Sequence, residues 1–173
     1  EDHGRELRAA GAGAGESGAR AIVLAAEGPG VSAGRDVGDV SSRDLDGVRD
    51  LRAMCTTLMQ TIGAVRQVVG ARVHGLATAA GCQLVASCDL AVAGDCAKFC
   101  TPGVHIGLFC STPMVALSRN LSAKHAMEML LLGEMVPAEE AARIGLVNRV
   151  VAAGGALAEA QRLAGVIASK SPA

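Results

Sequence analysis

Apolar positions along the chain follow two spacings, and these predict strands that alternate with helices. Short apolar runs, several of them bounded by glycine, predict buried strands at 21–26, 68–73, 89–93, 98–100 and 147–151. Longer segments between the strands have apolar residues at every third or fourth position, which predicts helices packed on a sheet. Alternation of this kind is typical of an α/β fold.

Boundary residues refine the helices. Ser111 and Ser122 are typical of helix N-caps, and Pro137 is typical of a first helical turn. Gly133 is typical of a residue that ends a helix. The predicted helices span 45–65, 79–86, 112–119, 122–132, 137–144 and 157–169.

Composition argues against several functional classes. With 173 residues, half of them apolar, the chain has the size of one domain with one core. The net charge is -1, the basic residues are scattered, and the aromatic residues are only Phe99 and Phe109, so we expect no nucleic-acid partner. The most apolar run, 82–93, contains Asp89, so we expect no membrane span.

Cysteine and glycine patterns give no metal or dinucleotide site. The six cysteines form no CxxC pair and have no histidine at zinc-site spacing, so we expect no metal and interpret them as reduced, mostly buried residues. Gly13, Gly15 and Gly18 match GxGxxG, but they precede a strand instead of following one. We interpret residues 1–18 as a flexible lead-in.

A candidate site begins where the strand ending at Val73 leads, through the small residues 77–81, into an apolar helix start. The first N–H groups of a helix have no partner inside it, and the helix dipole favours an anionic oxygen there. The N–H of Ala80 is one such donor. Close packing of small residues explains the same pattern, so the residues alone leave both interpretations open.

A second loop has the same character. Residues 27–37, EGPGVSAGRDV, follow a short apolar strand, and the Gly34-Arg35-Asp36 turn directs the N–H of Arg35 outward. Two N–H groups that converge on one oxygen form an oxyanion hole, which stabilises charge that develops on a carbonyl.

The same two segments carry a family resemblance. SAGRD (32–36) and HGLATAAGCQLVASCDLAVA (74–93) resemble the signature segments of the crotonase superfamily, the enoyl-CoA hydratase/isomerase proteins, and the likeness continues through 97–108 and 126–151. The resemblance implies an α/β spiral of repeated ββα units. Compared with that family, we expect the N-terminal strands and the C-terminal trimerisation helices to be missing.

By resemblance, the carbonyl oxygen of an acyl-CoA or enoyl-CoA thioester would bind between the N–H groups of Arg35 and Ala80. The Arg35 side chain could also bind the coenzyme A phosphates, although a solvated arginine is the default interpretation. Coenzyme A belongs to the substrate, so no separate cofactor is expected. The other substrate-binding positions carried over are Ala33, Gly34, Asp36, Ala79 and Gly81.

The chain departs from the family at two positions. Gln83 and Gly103 stand where hydratases carry their two catalytic glutamates, and neither exchanges a proton as a carboxylate does. Weak or nonstandard activity is therefore one hypothesis. The alternative is a noncatalytic acyl-CoA sensor or scaffold subunit, so the sequence leaves open whether this is an enzyme.

Other polar side chains have both chemical and structural interpretations. The Gln83 amide could bind a water or acyl group, or be satisfied locally. His105 near Thr101 and Ser111 suggests a base and nucleophile, but no acid follows at suitable spacing, so a hydrogen-bonded loop histidine is preferred. Asp89, like Asp36, is interpreted as a turn or cap acceptor.

The resemblance also implies organisation and context. We expect one truncated crotonase-like domain over 1–173, with the spiral core and acyl-CoA site in 19–121 and a helical portion in 122–173. The full-length protein is expected to form a homo-oligomer, a trimer or hexamer. By resemblance it would act in fatty-acid metabolism in the mitochondrial matrix, with the cytoplasm as the alternative location.

Overall fold

A computed structural model of the chain describes residues 18–34 and 42–170. The strands in these residues form two four-stranded sheets. The first sheet has, in spatial order, β1 (Ala21–Leu24), β3 (Val68–Val73), β5 (Leu90–Gly94) and β8 (Arg149–Val151), all parallel. The second has β2 (Gly30–Ser32), β4 (Leu76–Thr78) and β6 (Lys98–Cys100) in parallel, with β7 (Val136–Pro137) antiparallel to β6.

Six α-helices and one 3₁₀ helix occur in the described residues, close to the predicted segments. Ser122 is an N-cap as predicted, and its hydroxyl accepts a hydrogen bond from the N–H of His125. The prediction for Ser111 is wrong by one residue, because Cys110 is the N-cap and Ser111 is already helical. The helices are α1 (Leu45–Ala64), α2 (Ala80–Ser87), α3 (Ser111–Asn120), α4 (Ala123–Leu132), α5 (Ala138–Ile144) and α6 (Ala156–Ala168), with the 3₁₀ helix at Pro102–Ile106.

Consecutive strands belong to different sheets. The chain passes from β1 to β2, from β3 to β4 and from β5 to β6, and each step leaves the first sheet for the second. A helical segment follows each pair before the chain returns to the first sheet. This repeated strand, strand and helix unit is the ββα spiral, so the prediction of an α/β crotonase-type fold is confirmed.

Apolar residues from α1 and from both sheets form the core that holds the ββα units together. In α1 the buried residues are Cys55, Leu58 and Ile62, on one face of the helix, as the helical spacing predicted. In β3 every second residue is buried, ending with the fully buried Val73 just before the candidate site. Phe99 in β6 is also fully buried, so the strand ends that carry the site rest on a packed core.

A polar network holds the connection between β1 and β2 against the end of β3. Arg72 Nη1 donates to the carbonyl of Ala26 at 2.8 Å and to Nδ1 of His74 at 2.8 Å. The His74 Nδ1 is therefore the acceptor, and its Nε2–H donates to the carbonyl of Gly28 at 2.8 Å. These bonds position β2, which carries one half of the candidate site.

None of the helices in the described residues is long and apolar enough to cross a membrane.

Candidate functional site

Helix α2 begins with a main-chain N–H that has no hydrogen-bond partner in the described residues. The N–H of Ala79 donates to the carbonyl of Cys100 at 2.9 Å, and the carbonyl of Ala79 accepts from the N–H of Gln83 at 3.0 Å. The N–H of Ala80, the first helical residue, forms no hydrogen bond within the described residues. The N–H of Ala80 therefore has no hydrogen-bond partner in this part of the chain, and its role as a donor to a ligand stays a prediction.

Ala79, the residue directly before this N–H group, has a strained backbone conformation. Ala79 has φ 49° and ψ -114°, and it is the one non-glycine residue with positive φ in the described part of the chain. Such a conformation costs on the order of 1–3 kcal/mol and persists where neighbouring structure enforces it. Here the pairing of Thr78 with Cys100 holds the turn.

Gly81 brings α2 into direct contact with β2. A Cβ atom on Gly81 would lie 2.4 Å from the carbonyl oxygen of Ser32 and 2.8 Å from its Cβ. Only glycine permits this approach of helix and strand. Gly81 therefore acts as a packing contact that sets the separation of the two segments of the site.

Gly34 brings the second loop to the start of α2. It has φ +93°, and a Cβ there would lie 2.8 Å from the Cβ of Ala79 and 3.6 Å from the nitrogen of Ala80. The hydroxyl of Ser32 accepts from the N–H of Gly34 at 3.2 Å and fixes this turn. Ala33, next in the loop, is exposed.

The next two predicted residues, Arg35 and Asp36, lie outside the described residues. Two segments predicted to meet, 32–34 and 79–81, are thus in contact, and the position of the Arg35 N–H stays a prediction. Ser32 was not singled out by sequence reasoning. A serine two residues before a glycine turn is the signal that could have identified it.

Positions 83 and 103 differ in the room that their surroundings leave for a side chain. Gln83 is half-buried one turn after Ala80, and its side-chain amide forms no hydrogen bond within the described residues. The interpretation that a neighbouring group forms a hydrogen bond with the Gln83 amide is therefore not observed. A Cβ on Gly103 would lie 2.7 Å from the carbonyl oxygen of Leu108 and 2.8 Å from the Sγ of Cys110, so this position has no room for a side chain.

The remaining polar candidates have structural roles, as preferred above. His105 Nε2 lies 3.0 Å from the carbonyl of Gly133, which confirms a hydrogen-bonded histidine, although the residue lies in the 3₁₀ helix and not in a loop. The buried Thr101 hydroxyl donates to the carbonyl of Met129 at 2.8 Å. Asp89 accepts from the N–H of Val69 at 2.7 Å, which confirms its role as a local acceptor. No catalytic triad is formed by these groups.

The cysteines are all free thiols, and four of them are buried. Burial, followed by the nearby thiols of Cys100 and Cys110, raises the pKa of Cys82 to about 12. Burial, followed by the charge of Asp89, raises the pKa of Cys88 to about 12 as well. Both are therefore neutral packing residues at physiological pH, as predicted.

Because of these two thiols, the stability of the folded protein is expected to fall at alkaline pH. A thiol with a raised pKa in the folded state favours folding below its ordinary value of 9.0, and the contribution is lost as the pH rises through about 12. We expect the melting temperature to fall over this interval, and to fall less in a Cys82→Ala/Cys88→Ala variant. Thermal unfolding measured by circular dichroism tests this, with the exposed Cys96→Ser as control; equal slopes in all three proteins would contradict it.

The family model described as Enoyl-CoA hydratase/isomerase matches residues 6–173. The chain is 47% identical over 153 residues to enoyl-CoA hydratase domain-containing protein 3, mitochondrial, of Rattus norvegicus, and covers 51% of that protein with 88% of its own length. It is 34% identical over 142 residues to the crotonyl-CoA hydratase of Syntrophomonas wolfei, covering 54% of that protein with 80% of its own length. The chain thus spans about half the length of these curated relatives.

A solved structure agrees with these matches. The crystal structure of an enoyl-CoA hydratase from Mycobacterium smegmatis superposes with a TM-score of 0.91 at 46% sequence identity. The superposition covers 98% of this chain and 66% of that one. Since the family model matches nearly the whole sequence and the ββα spiral is the same, the chain belongs to the enoyl-CoA hydratase/isomerase family.

Proposed function

We propose that the chain binds acyl-CoA thioesters with the thioester carbonyl oxygen on the N–H of Ala80. The observation that carries this proposal is the N–H at the start of α2, which is unpaired in the described residues and stands beside side chains no larger than methyl at Ala79 and Ala80. The Arg35 N–H is the proposed second donor, and the contact of Gly34 with Ala79 supports it. The relative named crotonyl-CoA hydratase supports a CoA thioester as the ligand class.

Such a site would polarise the carbonyl and stabilise enolate character at the acyl group. The N–H of Ala80 supplies the hydrogen bond, and Gln83, one turn further along α2, carries a half-buried amide with no hydrogen-bond partner in the described residues. An amide donates and accepts hydrogen bonds but does not release a proton near neutral pH. We therefore propose weak or nonstandard activity in place of efficient hydration.

A noncatalytic acyl-CoA sensor or scaffold subunit is the second candidate. The specific observation in its favour is the filled space beside Gly103, which leaves no room for a catalytic side chain at that position. With an amide at position 83 and no side chain at position 103, binding without turnover is a consistent outcome.

The wider context belongs to the same proposal. The rat relative is named mitochondrial, which supports a mitochondrial location, and family membership supports a role in fatty-acid metabolism. A homo-oligomer is supported by exposed apolar side chains on two neighbouring segments, 106–109 and 131–135. The hydrogen bond between His105 and Gly133 links these segments, and exposed apolar surfaces often form protein interfaces. The exposed side chains are Ile106, Leu108, Phe109, Leu131, Leu132 and Met135.

The test removes the proposed donor at the first position of α2. We expect Ala80→Pro, which lacks the N–H, to weaken binding of crotonyl-CoA and a medium-chain enoyl-CoA by about 5- to 10-fold, and to lower any turnover by about 10²-fold. Proline is tolerated at the first helical position, but it favours ψ of about +120 to +160° in the residue before it, whereas Ala79 has ψ -114°. Binding is therefore compared only in a variant whose circular dichroism and melting temperature show that it is folded. Calorimetric titration and product analysis by mass spectrometry measure both effects.

Ala123→Pro controls for a proline at the first position of a helix, because Ala123 is the exposed first residue of α4. It should leave binding unchanged. Turnover that Ala80→Pro removes favours the enzyme, whereas binding without turnover favours the sensor or scaffold. Unchanged affinity in a folded Ala80→Pro variant would contradict the proposed place of the carbonyl.

A further inference from the structure

Two hydrogen bonds hold His74 in one protonation state. The carbonyl oxygen of Gly28 is only an acceptor, so the ring nitrogen that lies 2.8 Å from it, Nε2, carries a hydrogen. The guanidinium of Arg72 is only a donor, so the ring nitrogen that lies 2.8 Å from its Nη1, Nδ1, accepts and carries no hydrogen. The imidazole in this arrangement is therefore neutral, with its one N–H at Nε2.

A proton added to Nδ1 of His74 would break this arrangement. The nitrogen would become a donor and would face Arg72 Nη1, which is also a donor. The imidazolium would also place a positive charge against a guanidinium that keeps its own charge. The Nε of Arg72 is already buried without a hydrogen-bond partner. Losing the acceptor at His74 would leave Arg72 with one hydrogen bond in the described residues, to the carbonyl of Ala26.

The same side chains attach the connection between β1 and β2 to the end of β3. Arg72 donates to the carbonyl of Ala26, and His74 donates to the carbonyl of Gly28. Within the described chain, residues 26–28 form no other hydrogen bond. The strand that follows, β2, is three residues long and has an irregular register with β4. The position of this connection therefore depends on the neutral state of His74.

Other titratable groups lie on the two segments packed against His74. The turn between β5 and β6 contacts its main chain, because the Sγ of Cys96 donates to the carbonyl of His74 at 3.4 Å. None of these groups forms a hydrogen bond with the imidazole ring in the described residues, so Arg72 is the charged group that opposes its protonation. The groups are Glu27 in the β1–β2 connection and Asp95, Cys96 and Lys98 at the β5–β6 turn, all exposed.

We propose that His74 is a pH-sensitive latch, which holds the β1–β2 connection against β3 while its ring is neutral and releases it when Nδ1 gains a proton. Histidine side chains change charge between about pH 5 and 8, so the latch contributes stability above this range and loses it as the pH falls. Ser32 in β2 and Gly34 after it lie against the start of α2. Release would loosen this contact between the two segments of the candidate site, whether or not a thioester binds there.

The experiment measures hydrogen exchange of the full chain by mass spectrometry, in peptides that cover residues 26–32. Observed rates are divided by the intrinsic rates at each pH. Between about pH 8 and pH 5.5, where histidine side chains take up a proton, we expect protection to fall about 10-fold, the effect of one lost hydrogen bond to a charged group. In His74→Gln, the amide keeps one acceptor and one donor and does not titrate, so protection should stay constant.

His105→Gln is the matched control. The Nε2 of His105 lies 3.0 Å from the carbonyl of Gly133 and donates to it, and an imidazolium can make the same bond. This variant should therefore keep the wild-type response to pH, and so should Glu27→Gln and Asp95→Asn. The same loss of protection in His74→Gln as in the wild type would overturn the proposal.

Nitrogen-15 NMR of the imidazole tests the latch without a substitution. The His74 ring of the wild type should carry its hydrogen on Nε2 at about pH 8 and on both nitrogens at about pH 5.5, and the second proton should appear together with the loss of protection in 26–32. A ring that stays neutral at the lower pH, or that gains the proton while 26–32 stays protected, would refute the latch.

Discussion

Replacing Gly81 with alanine is expected to weaken any acyl-CoA binding by about 10-fold and to lower the melting temperature. The new Cβ would lie 2.4 Å from the carbonyl oxygen of Ser32 and 3.0 Å from its carbonyl carbon, both main-chain atoms of β2. Neither can rotate away, so α2 and β2 must separate. Overpacking of this kind costs about 1–3 kcal/mol, and a displacement of about 1 Å at a site can cost 10²-fold in activity.

Gly165→Ala is the matched control for Gly81→Ala. Gly165 lies inside α6, its φ is not positive, and an added Cβ would meet nothing within 4 Å. This substitution should stabilise the protein by about 1 kcal/mol, because alanine has the higher helix propensity. Thermal unfolding and titration with crotonyl-CoA compare the two variants. A Gly81→Ala protein that melts and binds like the wild type would show that the two segments are not held together by this contact.

The sequence predicts the parts of the fold that follow from local pattern. The alternation in β3 and the helical spacing in α1 both place apolar residues on one face, and the structure buries these faces. Ser122 and Gly133 begin and end α4 by capping chemistry that needs no tertiary information.

Tertiary contacts decide the elements that sequence reasoning misses or misplaces. The strand predicted at 147–151 begins only at Arg149, because the side chain of Asn148 accepts from the N–H of Ala91 at 2.7 Å. β7 is two residues long and exists through its pairing with β6. The apolar pattern of a segment does not indicate which strand will pair with it or which side chain will compete for its hydrogen bonds.

The candidate site shows the same division. The unpaired N–H of Ala80 follows from the small-residue helix start, since every helix leaves such donors at its first turn. The strained turn at Ala79 and the approach of Ser32 to Gly81 depend on where two distant segments meet. The sequence interprets Cys110 as a packing residue, and only the structure reveals its sulfur in the space beside Gly103.

Introducing carboxylates at positions 83 and 103 is expected to give opposite results. Gln83→Glu keeps the size of a half-buried side chain that has no hydrogen-bond partner in the described residues, so the fold should accept it. Gly103→Glu places a Cβ 2.7 Å from the carbonyl oxygen of Leu108, a main-chain atom, and 2.8 Å from Cys110 Sγ. We expect this variant to lose about 1–3 kcal/mol of stability or more.

Activity should separate the two positions in the same way. One correctly placed general acid or base contributes about 10²–10⁴-fold, so Gln83→Glu should raise hydration of crotonyl-CoA if the thioester binds on Ala80. The double variant Gln83→Glu/Gly103→Glu should be no more active than the single one, because the segment from Pro102 to Cys110 must move to admit the second side chain. Spectrophotometric hydration assays and chemical denaturation measure the two effects.

Two further variants isolate the cause at Gly103. Gly165→Glu controls for the loss of glycine itself, since its surroundings are open. Cys110→Ala in the Gly103→Glu background removes one of the two close contacts and should restore part of the lost stability, while the Leu108 carbonyl keeps the remainder. If Gly103→Glu is as stable as the wild type and adds activity to Gln83→Glu, the loop adapts readily, and the thiol beside Gly103 does not restrict the chemistry of the site.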